Sequence, residues 1–201
     1  LAAAVYACQQ EKEPVLELSS SMDIGEHPGC NRGETYIFTN ADKVRMYKND
    51  RFIKEYSAAD SPYTHLKHGP ILIDDFIGDA LQEEHMKPGQ EAGVKKALNA
   101  FTRFGFAKLP KSIYATGIWL ILRYHMNMEE AVRLYNKYIG DWGGTSTTYR
   151  FEAVMVDAST RQEREISFRF TMNHLLLKQR DRLRSLEQRR WLYREEWAAF
   201  M

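Results

Sequence analysis

An α+β fold is predicted by a change of hydrophobic period along the chain, and a change back. Residues 36–56, YIFTNADKVRMYKNDRFIKEY, alternate apolar with polar residues and are rich in β-branched and aromatic side chains. From Asp74 to Tyr138 the period becomes 3.6, as in amphipathic helices. From Gly143 to Ala158 the alternation returns, with Tyr149, Phe151, Ala153 and Met155 on one face. Strands, then a block of helices, then strands again are expected to give an α+β chain with a helical insertion.

Size and composition fit that class. At 201 residues, with 44% hydrophobic and 27% charged residues, the chain is long enough for a substantial core. A formal net charge of +1 gives no global pull toward nucleic acid or a membrane surface. The longest strongly apolar run, Ile113 to Leu122, falls short of the roughly 20 residues that span a bilayer. The opening LAAAVYACQQ lacks the basic residues of a secretory signal and is shorter than one. Cys8 and Cys30 do not make a disulfide framework, and no Cys/His spacing fits zinc. His65 and His68 stand three apart in THLKH without carboxylate or Cys partners, which reads as a surface loop. No cofactor motif occurs, so no cofactor and no metal are expected.

The elements follow in order. Residues 1–12 read as the end of a helix, with Ala2, Ala3, Ala4 and Ala7 as strong helix formers. Pro14 ends it, because the residue before a proline is pushed out of the α region. Val15 to Leu18 reads as a short strand. Tyr36 to Thr39 is the next, and Asn40-Ala41-Asp42 is a polar break suited to a tight turn. Lys43 to Tyr56 reads as a β-hairpin around Asn49-Asp50, since a two-residue loop needs positive φ and Asn and Asp tolerate it best after glycine.

The loop Ser19 to Arg32, SSSMDIGEHPGCNR, carries Asp23, Glu26 and His27. Carboxylates beside a histidine are suited to acid–base work, but a solvated polar loop is the default for this composition. After an irregular linker, Ser57 to Pro70, the run HGPILIDDFIGD brings Asp74, Asp75 and Asp79 together. Calcium would need the EF-hand spacing and its closing Glu, which are missing. Acids facing a helix macrodipole are the preferred reading.

Four helices fit the next stretch. The first covers Asp74 to His85. The second runs from Pro88 to Gly105, with Val94, Leu98, Phe101 and Phe104 on one face and Gly105 as a left-handed cap. The third starts at Pro110 in the first turn and continues through Ile113, Trp119, Leu120, Leu122 and Arg123. The fourth has Asn127 as N-cap with Glu130 three later, an apolar stripe of Ala131, Leu134, Tyr135 and Tyr138, and Gly140 at its close. Short connections argue an antiparallel cluster with the aromatic stripe in its core. Trp142, beside Gly143-Gly144, is either a stacking platform for a ligand ring or a core aromatic next to a turn.

Ile166 to Phe170 is a further strand candidate. The segment HLLLKQRDRLRSLEQRRWLYREEWAAFM then reads as helical and basic, its arginines partly balanced by Asp181, Glu187, Glu195 and Glu196. A solvated helix or disordered tail is favoured over a nucleic-acid or membrane contact.

Several words in this order carry a resemblance. LAAAVYACQQ with EPVLEL, MDIGEHPG, FTNADKVRMYKND, HGPILIDDFIGD, YIGDWGG and TTYRFEA resemble, collinearly, the region after the catalytic barrel in family 2 glycoside hydrolases, in the bacterial β-galactosidase-like subgroup. The resemblance covers about Leu1 to Ala158 and fades beyond it. It implies a partial immunoglobulin-like β-sandwich interrupted by an all-helical insertion. In those terms residues 1–12 are a remnant of the last barrel helix and 13–72 the first part of the sandwich. Residues 73–141 are the insertion, 142–170 the returning strands and 171–201 a basic tail. That tail departs from the family pattern, either as natural variation or as a frame-shifted continuation.

The resemblance further implies that the parent hydrolyses a β-galactoside or related sugar with two glutamates, about 5–5.5 Å apart in retaining enzymes. Both would lie on barrel strands outside this chain, so no residue here is assigned a catalytic role. Asp23, Glu26, His27 and Trp142 are candidates only for the rim of the sugar site. The expected partners are the barrel of the same polypeptide, the parent's carbohydrate substrate and, in the parent, further subunits. The opening without Met and the abrupt AAFM ending fit the expectation of a piece of a longer polypeptide. The alternative is a free-standing module binding a protein or nucleic acid through its helices or basic tail.

Overall fold

The computed structural model describes residues 2–10, 13–20, 32–140, 147–156 and 163–172. The chain is mixed α+β, with two antiparallel sheets and a helical cluster. The first sheet has the order β1 (Leu16–Leu18), β2 (Tyr36–Thr39), β5 (Ile71–Leu72). The second has the order β4 (Arg51–Ser57), β3 (Lys43–Lys48), β6 (Thr147–Val156), β7 (Glu163–Met172).

The predicted hairpin forms between β3 and β4, with Lys48 opposite Arg51. Asn49 and Asp50 take φ values of 50° and 61°, the left-handed pair that the twist of a two-residue loop demands. Asn49 also exchanges hydrogen bonds with Thr148 of β6, both 2.8 Å, so the turn is pinned to the neighbouring strand. Tyr47 faces Phe52 but Met46 faces Lys54, which leaves Ile53 as an extra residue, a bulge in β4.

Asn40-Ala41-Asp42 does not form a turn between paired strands. It carries the chain from the first sheet to the second. Asn40 is only 7% exposed. Its Oδ1 accepts from the Val15 N–H at 2.8 Å and its Nδ2 donates to the Glu13 carbonyl at 2.7 Å. The residue is polar here because it serves the backbone leading into β1, whose donor and acceptor would otherwise be left unmet.

One core is shared by both sheets. Leu16, Ile37 and Ile71 meet Val44, Met46, Ile53, Tyr56, Tyr149, Phe151 and Ala153 there, closed by Ile73 and Phe76. Each such side chain taken fully out of water contributes about 1.5–3 kcal/mol. On the other face of β2, Phe38 packs under Ala4 and Cys8, one turn apart on helix α1 (Ala2–Gln10). Gln9 Nε2 donates to the His68 carbonyl at 2.7 Å and ties that helix to the loop before β5.

The helical cluster differs from expectation at its start. No helix runs from Asp74 to His85; residues 74–79 are irregular and only Ala80–Glu84 coil, as a 3-10 turn. The reason is local. Gly78 has φ 58°, and the Asp75 carboxylate accepts from the N–H groups of Ile77 and Gly78 at 3.0 and 3.1 Å. An aspartate side chain that bonds two and three residues ahead competes with the helix. Helices α2 (Pro88–Phe104), α3 (Lys111–Tyr124) and α4 (Met128–Tyr138) follow. Asn127 caps α4, accepting from Glu130 N at 2.7 Å. Gly105 ends α2 with φ 64° but an extended ψ of −179°, not a left-handed helical cap. Pro110 stands at the N-cap of α3, just outside the first turn. Val94, Leu98, Leu120, Leu134 and Tyr138 form the second core with Ile77 and Leu81.

Candidate functional site

Three side-chain groupings stand out, one where the sheets meet the helices and two within the helical part, and their geometry decides what each can do. Asp75 is buried between them. Besides the two backbone donors, its Oδ1 accepts from Asn99 Nδ2 at 3.0 Å and its Oδ2 pairs with Lys95 Nζ at 2.7 Å. Burial pushes this carboxyl up, but Lys95, the Ile77 N–H, Asn99 and the Gly78 N–H outweigh it and hold the pKa below the ordinary carboxylate value. Asp74 is bound by Lys54 at 2.8 Å and by the Tyr56 hydroxyl at 3.2 Å. Both carboxylates hold the start of the insertion in place; neither faces a helix macrodipole as the sequence suggested. Among the described residues, no three His, Cys, Asp or Glu side chains converge as metal ligands would.

Glu84 is the second grouping. Its carboxylate accepts from Arg133 at 2.7 Å, Lys137 at 2.6 Å and the Tyr138 hydroxyl at 2.8 Å. Hydrogen bonds from Arg133 first, then Lys137 and Tyr138, bring its pKa down to about 2 against the opposing effect of burial. An acid this firmly ionised is an anchor for α4, unsuited to proton transfer near neutrality.

The third grouping faces outward. On α3, Ile113 and Leu120 point into the protein, but Tyr114, Ile118, Ile121 and Leu122 are 56, 59, 55 and 72% exposed. Positions 114, 118, 121 and 122 share one face of a helix. That face is apolar and uncovered among the described residues. Beside it runs a groove of about 560 Å³ between α2 and α3, lined by Gly89, Ala92, Gly93, Ala115, Thr116 and Trp119, with Lys96 on its edge. The two helices are antiparallel and close. A Cβ on Gly93 would stand 3.0 Å from Leu120 and 3.1 Å from Trp119, and one on Gly89 would stand 2.4 Å from the Tyr124 hydroxyl. The Trp119 ring is set edge-on against Tyr124 at 5.0 Å, which fixes one wall.

Charge around this face is one-sided. From Ala92 to Asn127 there is no Asp or Glu, while Lys95, Lys96, Arg103, Lys108, Lys111 and Arg123 are cationic. Lys95 is held by Asp75 and Arg103 by Glu34. Lys96, Lys108, Lys111 and Arg123 are exposed, and no ion pair joins them to a described residue. The face is therefore apolar in the middle and cationic at the edge.

Sequence reasoning missed this face because Ile113 to Leu122 is almost continuously apolar, and a run without polar gaps does not show which side is buried. The acid-free stretch was the available signal. The rim candidates Asp23, Glu26, His27 and Trp142 lie outside the described residues, as do Cys30 and the basic segment after Met172. No described helix is long and apolar enough to cross a membrane. Comparison of the chain with protein-family models, curated proteins and solved structures gives no match.

Proposed function

We propose that this chain is a non-catalytic, immunoglobulin-like part of a family 2 glycoside hydrolase of the β-galactosidase-like kind, supporting a catalytic barrel that precedes it. The observation that carries this reading is the strand order. Strands 1-2-5 in one sheet and 4-3-6-7 in the other correspond to A-B-E and C′-C-F-G of an immunoglobulin-type sandwich. In that correspondence the helices from Ala80 to Tyr138 fall between strands E and F, where the sequence resemblance puts its insertion.

A second observation supports the same reading. Helix α1 comes just before strand A and packs through Ala4 and Cys8 on the outer face of the first sheet. A last barrel helix leading into a following sandwich would sit in this way. Fold alone does not carry function, so the activity belongs to the barrel and its two glutamates. The role of this chain is mechanical: it offers a packed face to the barrel.

The test is the coding sequence upstream of Leu1. An open frame encoding a (β/α)8 barrel with two strand-end glutamates is expected there. An unrelated frame would overturn the proposal. So would hydrolysis of a nitrophenyl β-galactoside by the purified chain alone, since that places the catalytic carboxylates within it.

A further inference from the structure

We infer that the α2–α3 face is a docking site for an acidic amphipathic helix of a partner protein. The apolar ridge Tyr114, Ile118, Ile121 and Leu122 and the groove walled by Trp119 lie side by side. Small residues on the groove floor, Gly89, Ala92, Gly93 and Ala115, let a neighbouring backbone come close. A trough between two antiparallel helices has the shape into which the side-chain ridge of a third helix packs.

Charge selects the partner. Lys96 edges the groove, Lys111 opens α3, and Arg123 stands one turn beyond Trp119 on the same side of that helix. With no acid between Ala92 and Asn127, the charges that α3 and the part of α2 after Glu91 bring to this face are all positive. A helix with leucine-like residues on one face and Glu or Asp along its flanks satisfies both. Its acids would reach exposed cations, where such pairs act mainly on association rate and partner choice.

The same features disfavour two other occupants. A second copy in a two-fold contact would oppose this patch to itself and set its lysines and Arg123 against their own kind. A lipid surface would engage the ridge but leave the groove beside Trp119 unfilled. The inference does not depend on the glycosidase reading, because the face is a property of the helices alone.

The test uses the full chain and two designed amphipathic peptides of about 20 residues, long enough to hold a helix. Both carry the same leucine face; one has Glu on its flanks and the other Lys. The Glu peptide is expected to bind with micromolar affinity, at least about tenfold tighter than the Lys peptide, and to weaken as salt rises. Ile118→Ser with Leu122→Ser should lower that affinity about tenfold. Lys96→Glu with Arg123→Glu should reverse the preference between the peptides. These positions are solvent-facing, so circular dichroism and urea midpoints should stay near the parent values. Equal binding of both peptides, or no binding, overturns the inference. It is also overturned if the chain binds phosphatidylserine-containing vesicles in preference to the Glu peptide. Sedimentation showing a dimer that Ile118→Ser with Leu122→Ser dissolves would give the face to a second copy instead.

Discussion

Gly78 approaches the backbone of Ile53 so closely that a Cβ in its place would stand 2.8 Å from both the Ile53 Cα and its carbonyl oxygen. This contact joins two irregularities. Ile53 is the extra residue of the β4 bulge, and Gly78, at φ 58°, is where the chain turns out of the sheets toward the helices. The missing side chain at Gly78 lets the insertion touch the strand at its bulge. Gly78→Ala therefore faces both a left-handed backbone and a clash with main-chain atoms that cannot rotate away. A loss of roughly 2–4 kcal/mol in urea unfolding is expected. A variant within about 0.5 kcal/mol of the parent would mean that the two backbones are not in contact.

Asp75 anchors the same junction from the helical side. Asp75→Ala would leave the Ile77 and Gly78 N–H groups, Asn99 and Lys95 without their common acceptor in a buried place. A cost of about 2–4 kcal/mol is expected, set mainly by the buried donors left unmet, because Lys95 keeps part of its side chain in solvent. Asp75→Asn keeps one carbonyl oxygen for the backbone donors but removes the charge that Lys95 needs, so it should lie between alanine and the parent. Chemical denaturation of the three proteins gives that order, and an asparagine variant as stable as the parent would show that Lys95 contributes nothing.

The strands were largely legible in the sequence, for identifiable reasons. Alternation in KVRMYK and TTYRFEA places Val44, Met46, Tyr149 and Phe151 in one core, and that is where they lie. Asn49-Asp50 announces a turn because few residues accept positive φ. What failed was long-range. Asn40 looked like a turn residue but serves Glu13 and Val15, more than twenty positions away. Asp74 and Asp75 looked like helix-start acids, yet their partners Lys54 and Lys95 lie some twenty positions away in opposite directions along the chain. The outward face of α3 was hidden because its neighbours in sequence are as apolar as it is. None of these partners leaves a local pattern.

Glu84 gives the junction a pH dependence. Its carboxyl is held at about 2, below the ordinary carboxylate range, by Arg133, Lys137 and Tyr138. A depressed carboxyl contributes stability that is complete above its unfolded pKa and is lost as the pH falls through the folded one. Asp75, also depressed, acts in the same direction. Stability should decline from about pH 5 toward pH 2. Glu84→Gln should remove part of that slope, about 1–2 kcal/mol once solvent screening at its exposed partners is allowed for, and should leave the rest to Asp75. Urea midpoints across this range test the point, and parallel profiles for parent and variant would exclude Glu84 as a contributor.

Cys8 reports whether α1 stays on the first sheet, the contact on which the barrel-helix reading partly stands. Its side chain is 1% exposed against Phe38, and burial first, with help from Glu17, pushes the thiol up to about 11, well above an ordinary thiol. The thiolate is the species that reacts, so a rise of this size alone slows alkylation roughly a hundredfold. Steric cover adds to that. Iodoacetamide at pH 8, with mass spectrometry to separate Cys8 from Cys30, should label Cys8 far more slowly in the folded chain than in urea. Phe38→Ala removes the floor beneath α1 and, with it, the cover over the thiol, and should speed Cys8 labelling. Equal rates in folded and unfolded protein would mean that α1 is not held on the sheet, and the packing argument for a preceding barrel would fall with it.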